Sequence, residues 1–156
     1  MIDLEIPGFG SIRAEHLVLD YNGTLAVDGR PVAGVKALLA EMAQRLTVHV
    51  LTADTFGRAA QEMGEVDCTL SILPPGRQDE EKLRYIKHLG AENTVAVGNG
   101  RNDAQMLEAS RLGIAVILEE GASSAVLRAA DVVCTDILSA LSLLVHPLRL
   151  TATLRT

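Results

Sequence analysis

The chain contains no tryptophan, and tyrosine and phenylalanine contribute two residues each, so aromatics make up 3% of its 156 positions. Surfaces that hold sugars or unstacked bases rely on aromatic faces, and this chain has too few to build one. Positive charge is also scarce. Fourteen lysines and arginines against 20 aspartates and glutamates leave a net charge of −6, with no basic run. No nucleic-acid partner is expected, although a small molecule carrying phosphate needs only one or two local cations. The two cysteines, Cys68 and Cys134, stand far apart without CxxC or metal spacing, and read as buried, reduced thiols. The N-terminus MIDLEIPGFG is acidic and lacks the basic start and apolar stretch of a secretion signal. The longest apolar runs, LGIAVIL and ILSALSLLV, fall short of the ~20 residues of a membrane span. These absences together predict a soluble, cytoplasmic protein with no membrane partner.

What is present suits one real core. Hydrophobic residues reach 48%, and 156 residues make a single domain over 1–156 the expected organisation. Short apolar runs (HLVLD, TVHVLT, CTLSIL, NTVAVG, IAVIL, DVVC) alternate with helical patterns such as VAGVKALLAEMAQRL, DEEKLRYIKHLG and DAQMLEASRLG. Near-continuously apolar strands separated by helices predict a parallel sheet covered on both faces, a three-layer α/β domain. Gly64, Gly90 and Gly113 read as helix C-terminal caps. Residues 1–15 read as an added hairpin with Gly8 and Gly10 in its turn, and residues 145–156 as a C-terminal tail.

In such a sheet the reactive edge lies beyond the carboxyl ends of the strands. HLVLDYNGTLA, residues 16–26, ends an apolar run on a lone carboxylate, Asp20, and turns through Asn22 and Gly23. Alone, this reads equally as a strand entering a tight hairpin, because Asn-Gly is a strong turn signal. It has company, however. Thr52, Ala53 and Asp54 follow the second run, GNGRND (98–103) follows NTVAV, and Lys82 is expected in the first turn of the helix after PPGRQ.

A strand-end carboxylate beside exposed turn amides can attack a phosphoryl group while those amides hold its oxygens. Thr52 offers a hydroxyl and Lys82 a point charge for phosphate. Of the three lysines, Lys87 lies five residues further along the same helix, roughly 7.5 Å deeper, so Lys82 is the better candidate. The plain alternative is a solvated lysine in the charged run DEEK. Asp20 and Asp103 are the acids placed to share Mg²⁺, which would offset the clash between a carboxylate nucleophile and an anionic phosphate. The corresponding alternative for GNGRND is a glycine-rich turn with Asn102 or Asp103 capping the next helix.

DYNGT, LTAD, the lysine of PPGRQDEEK and GNGRND, in this order, resemble the four motifs of the haloacid dehalogenase-like superfamily. The likeness spans residues 16 to about 144. It is similar in particular to the phosphorylation domain of P-type ATPases, including AADVVCTD after GNGRND, and to soluble stand-alone relatives of that domain. The resemblance implies a Rossmann-like sheet with a small flap hairpin near LAVDGRP and no cap domain. It makes Asp20 the nucleophile and places Thr52, Ala53, Lys82 and Asn102 at phosphate. It assigns Asn22 to the acid/base position, and Asp20, Asn22, Asn99 and Asp103 to a magnesium site. The absence of membrane helices excludes ion transport from this expectation.

Two positions depart from that family. Its phosphatases carry Asp two residues after the nucleophile, where Asn22 stands here; Asn can hydrogen-bond but cannot relay a proton. P-type ATPases also lack an acid there, and their phospho-aspartate persists. The family further expects Asp at Asn99, so the metal site loses a formal charge. The leading expectation is a Mg²⁺-dependent phosphohydrolase or phosphotransferase of low turnover, acting through an aspartyl phosphate on Asp20. Two alternatives stand beside it: a catalytically impaired phosphate-sensing or protein-interaction module, and a metal-free dehalogenase. The partner implied is a phosphorylated substrate of unknown identity, and an open site leaves room for a homo-oligomer that completes the pocket.

Overall fold

In the computed structural model, which describes all residues 1–156, the alternation of apolar runs and helical patterns becomes alternation in space. A hairpin comes first, β1 (Ile2–Ile6) against β2 (Gly10–Ala14), antiparallel from Ile2↔Ala14 to Ile6↔Gly10. Then follow β3 (His16–Asp20), a flap hairpin of β4 (Ala26–Val27) and β5 (Arg30–Pro31), and α1 (Val35–Ala43). The chain continues through β6 (Thr47–Thr52), α2 (Ala59–Met63), β7 (Thr69–Ile72) and α3 (Gln78–Leu89). Next come β8 (Thr94–Gly98), α4 (Ala104–Ala109), β9 (Leu112–Val116), α5 (Ser124–Ala129) and β10 (Val132–Cys134). Two helices, α6 (Ile137–Val145) and α7 (Pro147–Leu154), close the chain.

Six strands form one sheet in the order β10-β9-β8-β3-β6-β7, every pair parallel. Both faces are buried, and side chains alternate between them. Leu17, Leu19, Val95 and Val97 point into a core with α1, α6 and α7, whereas Val18 and Ala96 point into one with α3, α4 and α5. That is the expected three-layer α/β fold, and no cap domain interrupts it. Because β3 is central, Asp20 emerges in the middle of the carboxyl edge, flanked by the ends of β6 and β8.

The flap is the tightest feature near that edge. Asp28 (φ 51°) and Gly29 (φ 77°) both occupy the left-handed region, which a two-residue hairpin turn demands and an Asp-Gly pair supplies. The buried Tyr21 hydroxyl donates to Gly29 O at 3.0 Å and so ties this turn to the end of β3.

Four local expectations need correction. Gly113 lies inside β9 and caps nothing: α4 crosses so close that a Cβ there would meet Leu107 O at 2.7 Å. The helix ends earlier, at Ala109, where the Ser110 hydroxyl donates to Met106 O at 2.7 Å. Lys82 sits in the second turn of α3, since Asp79, Glu80 and Glu81 fill the first. Both cysteines are free but only half-buried. Residues read as a tail form α7, whose Leu150 is buried in the larger core.

No single helix is long and apolar enough to cross a membrane.

Candidate active site

A cleft of about 190 Å³ opens at the carboxyl edge of the sheet, lined by Asp20, Asn22, Thr52, Ala53, Thr55, Gln78, Asn99, Gly100, Asn102 and Glu120. Six of these were picked out from sequence, and they arrive from the ends of three adjacent strands. A larger cavity of about 590 Å³ lies at the opposite edge, among strand beginnings such as Thr47 and Thr69. It gathers no strand-end chemistry.

Beneath the cleft sits a buried ion triad. Lys82 Nζ donates to Asp20 Oδ1 and to Asp103 Oδ1, each at 2.6 Å. Lys82 and Asp103 are 1% and 0% exposed, so neither forms the cleft wall; they make its floor. Helical side chains lean toward their helix N-terminus, which lets a lysine in the second turn of α3 reach the sheet's carboxyl edge. The other oxygen of Asp103 accepts from the Asn99 and Gly100 amides at 3.0 and 2.8 Å. Asp103, expected as a metal ligand, holds both Lys82 and the GNGRND turn through these three bonds. Gly98 permits this closeness, since a Cβ there would meet Asp103 at 2.6 Å.

Burial, and then the charge of Asp103, push the Asp20 carboxyl up to about 6, while Lys82 pulls it back down. Burial alone would lower Lys82, but Asp20 and Asp103 outweigh it and hold the ammonium above its usual range. Lys82 therefore stays charged at neutral pH, and Asp20 remains mostly ionised beside it.

The remaining polar groups are arranged around this floor. Thr52 Oγ1 accepts from the Asp54 amide at 2.8 Å, which leaves its own proton to donate into the cleft. Asn102 Nδ2 donates to Gln78 Oε1 at 3.1 Å. Thr24 Oγ1 lies 3.2 Å from both Asp20 Oδ2 and Asn99 Oδ1, and its single proton serves one at a time. Asn99 Nδ2 donates to Gly121 O at 3.0 Å. Asn22 Oδ1 is buried and has no hydrogen-bond partner.

That last atom bears on the metal. Asp20, Asn22 and Asn99 offer oxygen donors at the cleft, the chemistry a hard divalent cation selects, and an ion would satisfy the unpartnered Asn22 oxygen. Only Asp20 among them carries charge, and no group of three or more His, Cys, Asp and Glu side chains is gathered anywhere in the chain. The donor set fits such a cation, weakly held.

Sequence reading missed Gln78 and Glu120, and took Thr24 only as part of the DYNGT turn. Gln78 lies four residues, one helical turn, before Lys82, and Glu120 follows the end of β9; the strand-end rule extended to β9 would have found the latter.

A central parallel sheet carrying a buried carboxylate at its carboxyl edge, with a lysine beneath it, defines a Rossmann-like α/β core with a charged strand-end site. A family model of haloacid dehalogenase-like hydrolases matches residues 70–137. An uncharacterised protein of Methanocaldococcus jannaschii is 42% identical over 84 residues, covering 51% of this chain and 90% of that protein. A probable cadmium/zinc-transporting ATPase of Arabidopsis thaliana chloroplasts is 31% identical over 125 residues, 74% of this chain but 14% of the transporter. The crystal structure of 3-deoxy-D-manno-octulosonate 8-phosphate phosphatase from Moraxella catarrhalis, with magnesium and phosphate ions and KDO, superposes with a TM-score of 0.61 at 14% identity. That superposition covers 86% of this chain and 87% of the phosphatase. The chain belongs to the haloacid dehalogenase-like superfamily.

Proposed function

We propose that this chain is a phosphohydrolase or phosphotransferase of low turnover that forms an aspartyl phosphate on Asp20. The observation that carries the reading is the Asp20–Lys82–Asp103 triad under a cleft walled by Thr52, Ala53, Asn99 and Asn102. Asp20 is the nucleophile: its carboxylate attacks phosphorus, and the leaving oxygen keeps the electrons of the broken bond. Lys82 lowers the repulsion between that carboxylate and an approaching anion. Thr52 donates its free proton, and the Ala53 and Asn102 region closes around the phosphoryl oxygens. A divalent cation such as Mg²⁺, held by Asp20, Asn22 and Asn99, would neutralise part of the phosphoryl charge. The Moraxella phosphatase, with its magnesium and phosphate ions, supports that choice. Asn22 can orient a substrate or water but cannot take a proton, so the phosphorylated state outlives that of an enzyme with Asp there.

A second reading, a phosphate-sensing or protein-interaction module, is favoured by one observation: neither Asn22 nor Asn99 brings charge to the cleft. Incubation with acetyl phosphate and Mg²⁺, followed by peptide mass spectrometry, separates the two. The proposal expects a phosphoryl group on the peptide bearing Asp20, abolished in Asp20→Asn; an unlabelled wild type supports the module instead.

A further inference from the structure

We infer that Glu120 is the base of the hydrolytic half-reaction, the proton acceptor that Asn22 cannot be. The inference rests on the reading of Asp20 as nucleophile. Of the residues lining the cleft, Asp20 and Glu120 are the only acids, so Glu120 is the only carboxylate there not already committed to bonding phosphorus. Its placement is fixed from two sides. Glu120 lies in the turn closed by the Leu118–Gly121 bridge, directly after β9. Gly121 O accepts from Asn99 Nδ2 at 3.0 Å, and the Ser123 amide donates to Asn99 O at 2.9 Å, so the turn is pinned to the end of β8 beside Asp20. The side chain spans the cleft mouth: Glu120 Oε1 accepts from the flap amide of Asp28 at 3.3 Å. That bond leaves Oε2 uncommitted.

In the step, a water oxygen forms a bond to phosphorus and the bond from phosphorus to the Asp20 oxygen breaks. The electron pair returns to Asp20 as carboxylate, and Glu120 takes the proton the water loses. Inorganic phosphate leaves, and Glu120 passes its proton to solvent, which its exposure allows. The plain competitor is a solvent-facing glutamate that only clasps the flap. Glu120→Gln separates the two, because glutamine keeps the acceptor oxygen for the Asp28 amide and loses the basicity.

The experiment phosphorylates the protein with acetyl phosphate and Mg²⁺, removes the donor, and follows loss of the phosphoryl group from Asp20 by mass spectrometry. Glu120→Gln is expected to lengthen the lifetime of phospho-Asp20 at least ~10-fold. Glu120→Ala, which also releases the flap, should match it. Glu119→Gln, an exposed neighbour, should decay like wild type. Equal lifetimes for wild type and Glu120→Gln would overturn the inference and leave the Asp20 reading standing. Failure of wild type to acquire any label would overturn both.

Discussion

The chemistry of a single side chain organises the site. Lys82 is an ammonium enclosed by protein, held at 2.6 Å each between the carboxylate that ends β3 and one in the turn after β8. Removing one partner of a buried ion pair costs roughly 3–5 kcal/mol, because the charge left behind has no partner. Lys82→Ala leaves two, Asp20 and Asp103, facing each other without a cation. Lys82→Ala is therefore expected to lower the urea midpoint sharply and to weaken binding of tungstate or beryllofluoride. Lys87→Ala, on the exposed side of the same helix, should move stability by no more than ~0.5 kcal/mol and leave anion binding intact. Comparable effects from both lysines would sink the assignment. At this scale the sequence was readable in part. Counting three lysines and measuring helix depth picked out Lys82, but its simultaneous grip on Asp20 and Asp103 joins three chain segments, and no local pattern carries that.

Individual strands and helices explain both what was legible and what was not. Strand ends were legible because a parallel sheet sends every carboxyl end to one edge, so Asp20, Thr52 and Asn99 had to converge. Gly113 was not, because glycine serves a helix cap and a close helix–strand crossing equally well, and only the approach of Leu107 O decides. Nor did β6 announce the polar line it carries through the second core. His49 Nε2 lies 3.1 Å from His16 Nδ1, and His49 Nδ1 lies 2.9 Å from the Tyr85 hydroxyl on α3. Burial, and secondarily His16, lower His49 from 6.5 to about 4. The folded value lies below the unfolded one, so the unfolded chain binds more protons in between. The contribution to stability is full above about pH 6.5, is lost as pH falls toward 4, and levels off below that. At 1.36 kcal/mol per unit this amounts to roughly 3 kcal/mol. Asp20 acts in the opposite direction, since its raised value favours the protonated fold, and a mutant comparison removes that common background. Urea midpoints at pH 7.5 and pH 5 should differ more in wild type than in His49→Gln. Parallel slopes in the two proteins would remove His49 from the account.

For the whole molecule, the decisive features are an open cleft, no cap over it, and, on the proposed reading, an amide at the acid/base position. The frame was legible from the alternation of elements and the order of motifs. What the frame does with Asn22 was not, because the burial of its Oδ1 without a partner is a property of the folded site. Asn→Asp is nearly isosteric, so Asn22→Asp should keep the turn. It also places a second carboxylate near Asp20, where Thr24 and Lys82 are already committed. That charge is costly without a cation and tolerable with one. Asn22→Asp should consequently melt lower than wild type in chelator and recover in millimolar Mg²⁺, by a larger shift than wild type shows. A positioned acid/base is worth typically ~10²–10⁴-fold. Hydrolysis of an aryl phosphate by Asn22→Asp should therefore rise at least ~10-fold in Mg²⁺. The double variant Asn22→Asp with Asn99→Asp should do better, because the second change returns a formal charge to the donor set. Asp20→Asn in each background supplies the blank. Should neither restored variant exceed that blank, the cleft is a phosphate-binding surface on a hydrolase fold, and Asn22 marks the position where catalysis was given up.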